Sequence, residues 1–357
     1  MTELSDLPIR DDFSGLSPYG APQLDVPIQL NVNENNFGIP AEVARDIAAS
    51  VASVIEGVNR YPDREFTQLR SSLAAFLGQG LQPEQVWAAN GSNEVIQQFL
   101  QVFAGPGRTL LGFTPSYSMY PLYARGTFTT WVSEPRAADF TLRASDAVAA
   151  VEREQPDVVV LARPNNPTGT ALGLDVIEAV YQAAPGMVLV DEAYQEFSRL
   201  PSAIELLPGR PRLAVSRTMS KAFAFAGIRL GYLVADPAVA DALRLVRLPY
   251  HLSTITQAAA VAALRHAPAM LANVDAIIQQ RDRIIRELPA LGYTPYPSES
   301  NFVFFGGVAD PHRTFTALVD RGIIIRDVGI PHTLRVTAGT AEETTAFLTA
   351  LAEVPNN

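Results

Sequence analysis

The chain has 357 residues, 48% of them hydrophobic and 18% charged, enough for one large and one smaller domain sharing a cleft. A formal charge of −10 and a pI near 5.0 argue against nucleic-acid or anionic-membrane partners, both of which call for a basic patch. The absence of cysteine excludes disulfides, thiolate nucleophiles and Cys-ligated zinc. His251, His266, His312 and His332 lack the H-E-x-x-H spacing of a helical zinc site, so no metal is expected. The start MTELSDLPIRDDF shows no basic segment followed by an apolar run. No apolar stretch reaches the roughly 18 residues of a spanning helix. A cytoplasmic protein without a membrane partner is expected.

In chain order, about 37 residues rich in Pro, Asn and Asp read as an irregular arm. A helix follows from Pro40, and a second covers residues 66–77. Short apolar runs at 109–113, 128–132, 157–161, 187–190, 213–216 and 230–234 read as buried parallel strands. After Pro249 the texture changes to long helices at 254–265 and 269–288, then strands near 301–305, 322–325 and 334–337. The alternation predicts an α/β protein with a mostly parallel sheet. The expected large domain spans 40–250, while 1–39 and 251–357 form the arm and a smaller α+β domain.

Of the 27 Lys and Arg residues only Lys221, in RTMSKAFAFAGIRLGY, is a lysine. Arginine supplies the same surface charge, but only lysine offers an amine that loses its proton and attacks a carbonyl. Asp191, closing the apolar run VLVD, would be largely buried at the mouth of the sheet and would need a partner such as a protonated pyridine nitrogen. Asn166, in RPNNPTGT, offers an amide to a phenolate oxygen. NGSNEVIQQFL reads as a loop opening a helix at Ser92 and Asn93, where free amides and the helix dipole face an anion. Thr218, Ser220 and Arg229 add donors suited to phosphate. These are the needs of pyridoxal 5′-phosphate.

On the strings RYPDREFTQLR, NGSNEVIQQFLQVF, GFTPSYSMYP, PNNPTGT, VDEAYQEF, RTMSKAFAFAGIRLGYL, SNFVFFG and IIIRDVG, the chain resembles the fold-type I aminotransferases, in their actinobacterial histidinol-phosphate branch. The resemblance implies a large domain built on a mostly parallel seven-stranded sheet flanked by helices. It implies transfer of an amino group between L-histidinol phosphate with 2-oxoglutarate and imidazole-acetol phosphate with L-glutamate. By the same resemblance Lys221 forms the Schiff base with the cofactor, Asp191 faces its ring nitrogen, and Tyr194 and Asn166 face its 3′-oxygen. Tyr117 stacks on the ring, and Ser92, Asn93, Thr218, Ser220 and Arg229 form the phosphate cup. Tyr61 reaches the phosphate of a neighbouring subunit, which makes the active unit a homodimer. Arg335 and Arg326, with Tyr19, lie near the substrate's anionic groups. Asn33 or Asn35, with Tyr120, Tyr123 and Tyr250, would line the imidazole side. The N-terminal motif reads NENNFG where the family usually has NENP, and Asn36 in place of Pro is expected to loosen the arm. An aromatic amino-acid (phenylalanine) aminotransferase is the alternative on this scaffold. A pyridoxal-phosphate-sensing regulator would need a basic DNA-binding helix, and no such helix is evident.

Overall fold

Between turns, the apolar runs of this chain become strands covered on both faces, as β5 shows: its five residues VVVLA are all buried. The computed structural model describes residues 6–18 and 20–356. In chain order an irregular arm leads to β1 (Ile28–Gln29), α1 (Ala41–Ile55) and α2 (Thr67–Leu77). Then come β2 (Val86–Ala89), α3 (Ser92–Phe103), β3 (Thr109–Thr114), α4 (Tyr120–Gly126), β4 (Thr130–Pro135), α5 (Ala144–Glu154) and β5 (Val158–Ala162). The sheet is completed through α6 (Leu174–Ala183), β6 (Met187–Asp191), β7 (Leu213–Thr218) and β8 (Gly231–Ala235). Its order is β2-β8-β7-β6-β5-β3-β4. β8 runs antiparallel to both of its neighbours, and the other pairings are parallel. This is the expected mostly parallel seven-stranded sheet.

Two details differ from the sequence reading. The seventh strand, β2, was not among the expected runs, because VWAA is short and its alanines carry no β preference. The run expected at 128–132 starts its strand two residues later, since Phe128 sits at φ 57° in an exposed turn.

The remainder comprises α7 (Pro237–Leu243), α8 (Thr254–Arg265), α9 (Ala267–Met270), α10 (Val274–Glu287), β9 (Thr294–Pro295), β10 (Phe302–Gly306), α11 (Pro311–Val319), β11 (Ile323–Ile324), β12 (Leu334–Thr337) and α12 (Ala341–Ala352). β10 is the centre of a three-stranded antiparallel sheet with β9 and β12, while β1 from the arm pairs with β11 in parallel. Two hydrophobic cores result. The first surrounds the large sheet and includes Trp87, Phe99 and Leu189, and the second holds Phe302, Phe305 and Phe347. The change of core falls between Leu271, which packs against both, and Val274, later than the boundary expected at 250. α8 explains the difference, because its run of small residues, with Ala259, Ala260 and Ala263 fully buried, packs along α1 and α2 into the first core. Among the described residues no helix is long and apolar enough to cross a membrane.

Candidate active site

A cavity of about 390 Å³ opens where β5, β6 and β7 end, at the N-terminus of α3, which is where open α/β sheets bind ligands. Lys221, three residues beyond the end of β7, lies in its wall and donates from Nζ to the Val32 carbonyl at 2.9 Å. Burial, reinforced by the positive charges of Arg335 and Arg229, lowers its amine to about 8, with Glu34 opposing.

Asp191 ends β6 and is 6% exposed. Oδ2 accepts from the Tyr120 hydroxyl at 2.8 Å and Oδ1 from Ser216 Oγ at 3.3 Å. Burial pushes its carboxyl above the ordinary carboxylate range, and the two hydroxyls only partly oppose this. It forms no ion pair among the described residues, so a protonated ring nitrogen is the partner its surroundings call for.

The anion cup is built by close backbone approach. Gly91 precedes α3 at φ 89°, and a Cβ there would lie 2.8 Å from Arg229 Nη2. A Cβ on Gly231 would lie 2.1 Å from Ser92 N, so only glycine lets β8 meet the first turn of α3. Glu94 accepts from Asn90 N at 2.7 Å and fixes that turn. Thr218 Oγ1 donates to Ser220 Oγ at 3.0 Å and accepts from Ser220 N at 3.1 Å. The cup residues Ser92, Asn93, Thr218, Ser220 and Arg229 all line the cavity. Tyr117 lines it as well, donating to Asn93 Oδ1 at 3.2 Å with its ring edge-on to Tyr120.

Tyr194 and Asn166 meet at the far side, Asn166 Nδ2 donating to Tyr194 OH at 3.4 Å. Arg335 donates to Asn166 Oδ1 at 2.5 Å and to the Asn31 carbonyl at 2.8 Å. Arg326 and Arg335 face one another across a backbone pair with both N–H···O bonds at 2.9 Å, and both line the cavity.

Several expected substrate contacts lie elsewhere. Tyr120 lines the cavity, but its hydroxyl is bonded to Asp191, on the cofactor side. Tyr123 is 6% exposed, in the first core and outside the cavity wall. Asn35 holds the loop after Lys221, donating to the Ala222 carbonyl and accepting from Phe37 N, both at 3.0 Å. Tyr250 stacks on Tyr61 at 4.3 Å on the surface, and Tyr61 is 79% exposed. Tyr19 lies outside the described residues. Asn36 does not loosen the arm. Its amide donates to both Glu343 oxygens at 2.8 Å and so ties the arm to the start of α12, a bond that proline has no donor to make.

The sequence reading passed over Ser216 and a buried charge cluster behind Asp191. Glu192 is 0% exposed and is gripped by Arg163 at 2.7 Å and Arg217 at 2.9 Å. The signal for the cluster was the second carboxylate of VDEAY, which needs cations if buried, though spacing does not say which ones.

A lone lysine, a buried carboxylate and an amide-lined anion cup converging at one edge of this sheet define a pyridoxal-phosphate-dependent enzyme on a fold-type I scaffold. The chain belongs to the class I and II aminotransferases, a family matched by its residues 25–351. It is 60% identical over 356 residues to histidinol-phosphate aminotransferase of Paenarthrobacter aurescens, covering 98% of this chain and 96% of the relative. With the enzyme of the same name from Streptomyces avermitilis it shares 55%, covering 98% and 97%. Among solved structures, histidinol-phosphate aminotransferase from Sinorhizobium meliloti in complex with pyridoxal-5′-phosphate superposes with a TM-score of 0.82 at 29% identity, covering 92% of this chain and 90% of that one.

Proposed function

We propose that this chain is a pyridoxal-phosphate-dependent aminotransferase that exchanges an amino group between L-histidinol phosphate with 2-oxoglutarate and imidazole-acetol phosphate with L-glutamate. The observation that carries the choice of substrate is the pair Arg326 and Arg335, opposite one another in a backbone bridge and both lining the cavity. Such a pair suits the phosphate of one substrate and a carboxylate of the other. The relatives named for this activity at 52% to 60% identity support the same reading.

The bound cofactor supplies an electron sink for the substrate's Cα–H bond electrons. The residues of this chain do the rest. Lys221, its amine lowered to about 8, attaches the cofactor and afterwards moves the proton at the substrate Cα. Asp191 holds a proton on the ring nitrogen. Tyr194 and Asn166 donate toward the 3′-oxygen, Tyr117 covers the ring face, and the α3 turn with Thr218, Ser220 and Arg229 binds the phosphate.

The working form in this reading is a cytoplasmic homodimer. Ile55, Val58, Tyr61, Leu245, Leu248 and Tyr250 are all exposed apolar or aromatic residues, more than a lone surface readily explains. A second copy would cover them, with Tyr61 reaching the partner's phosphate cup. Light scattering after size exclusion tests the dimer. Turnover of histidinol phosphate against phenylalanine, each with 2-oxoglutarate, tests the substrate, and a preference for phenylalanine would overturn it.

A further inference from the structure

Asn33 sits in the arm at φ 58°, a left-handed conformation that asparagine tolerates and most residues avoid. It is 1% exposed and lines the cavity. Its side chain joins two segments far away in sequence. Nδ2 donates to Tyr194 OH at 3.0 Å. On the other side Thr337 Oγ1, at the end of β12, accepts from Asn33 N at 3.0 Å and therefore turns its own proton to Asn33 Oδ1 at 3.2 Å. That hydroxyl decides which end of the amide faces Tyr194, because an amide oxygen placed there would leave the Thr337 proton opposite an NH₂. Asn301 Nδ2 fixes the backbone by donating to the Asn33 carbonyl at 3.1 Å.

The Tyr194 oxygen accordingly receives two amide donors, Asn33 at 3.0 Å and Asn166 at 3.4 Å. A phenol oxygen accepting in both directions acts through its proton, and each donor it accepts makes that proton more readily shared. We propose that Asn33 is a positioning residue that makes Tyr194 a one-way hydrogen-bond donor toward the 3′-oxygen of pyridoxal phosphate. The proposal rests on the reading of this cavity as a pyridoxal-phosphate site. It also gives the arm a role in the chemistry, since Asn33 governs Tyr194 while the carbonyl of the preceding Val32 receives Lys221.

Two variants of the holoenzyme separate this role from a structural one. Asn33→Asp keeps the shape and replaces the donor by an acceptor, so the Tyr194 proton turns to the new carboxylate. Thr337→Val removes the hydroxyl that orients the amide and adds no charge. The readout is the pH midpoint of the bound cofactor's visible absorption, with thermal melting alongside. Donation from Tyr194 draws negative charge off the 3′-oxygen and so disfavours a proton on the adjacent nitrogen. Losing it should raise the midpoint by about 1 pH unit in Asn33→Asp, the size expected for one hydrogen bond to an ionised group. Thr337→Val should shift the midpoint the same way by less. A midpoint unmoved in both variants, whatever their melting temperatures, overturns the proposal. If Asn33→Asp does not fold, Thr337→Val decides alone on the same criterion. Failure of the parent protein to show any cofactor absorption would overturn the cofactor reading, and this proposal with it.

Discussion

Replacing Arg326 by glutamine tests whether the substrate carries a phosphate. The guanidinium is partly exposed and donates to the Gly20 carbonyl at 3.4 Å, so little internal structure is lost with it. A charge-assisted hydrogen bond is worth about 1.5 to 3 kcal/mol, which at about 1.4 kcal/mol per decade corresponds to roughly 10- to 150-fold in kcat/KM. One feature places the expected loss in the lower part of that range: solvent screens a partly exposed charge. Histidinol phosphate turnover should therefore fall about 10- to 40-fold. Phenylalanine turnover should stay within about threefold, because Arg335 keeps its hold on a carboxylate. The assay is steady-state kinetics of both donors with 2-oxoglutarate. Equal losses on both would assign Arg326 to structural support and remove the argument for a phosphorylated substrate.

Lys221→Arg should bind the cofactor without the absorption band of covalent attachment, and an unchanged band would sink the assignment, since no other lysine exists. With its amine lowered to about 8, Lys221 loses its proton at a lower pH than an ordinary lysine. Attachment of pyridoxal phosphate to the cofactor-free protein should thus speed up through pH 7 to 8 and level off above. A rate still climbing at about pH 10, near the ordinary lysine value, would refute the shift. Asp191→Asn should keep the fold and lose about two to four orders of magnitude in turnover, the kinetic equivalent of about 3 to 5 kcal/mol for an ion pair broken in a buried site. Activity within about threefold of the parent would reduce Asp191 to a strand-end cap.

What the sequence made legible was chemistry that is local in the chain. Lys221 stood out because nothing else in the composition can do its work, and Asp191 because a carboxylate ending an apolar strand must be balanced. The turn of α3 with Ser92 and Asn93 was readable from a few consecutive residues. Contacts between distant segments were not. Tyr120 and Asp191 are 71 positions apart, and Asn36 and Glu343 are 307 apart, so their pairing depends on how the sheet and the two cores close rather than on any spacing. Tyr120 illustrates the error that follows. A tyrosine near the cavity reads as a substrate contact until the buried carboxylate behind it is seen to accept its hydroxyl. α8 misled for a related reason, since an alanine-rich helix has no single apolar stripe to announce which core it joins.

The second hydrophobic core is not confined to the C-terminal segment. It takes in Tyr194 and Ala222, the residue after the reactive lysine, and the Tyr194 ring packs edge-on against Phe302 at 5.2 Å. The cavity wall is therefore mortared partly into the second core. A cavity made there by truncating Phe302, ordinarily judged by its effect on melting, would first slacken Tyr194 in the wall of the site. At this seam, variants that look like folding defects and variants that look like cofactor defects share one cause, and the spectrum of the bound cofactor becomes a sensitive gauge of packing some distance from the reacting atoms.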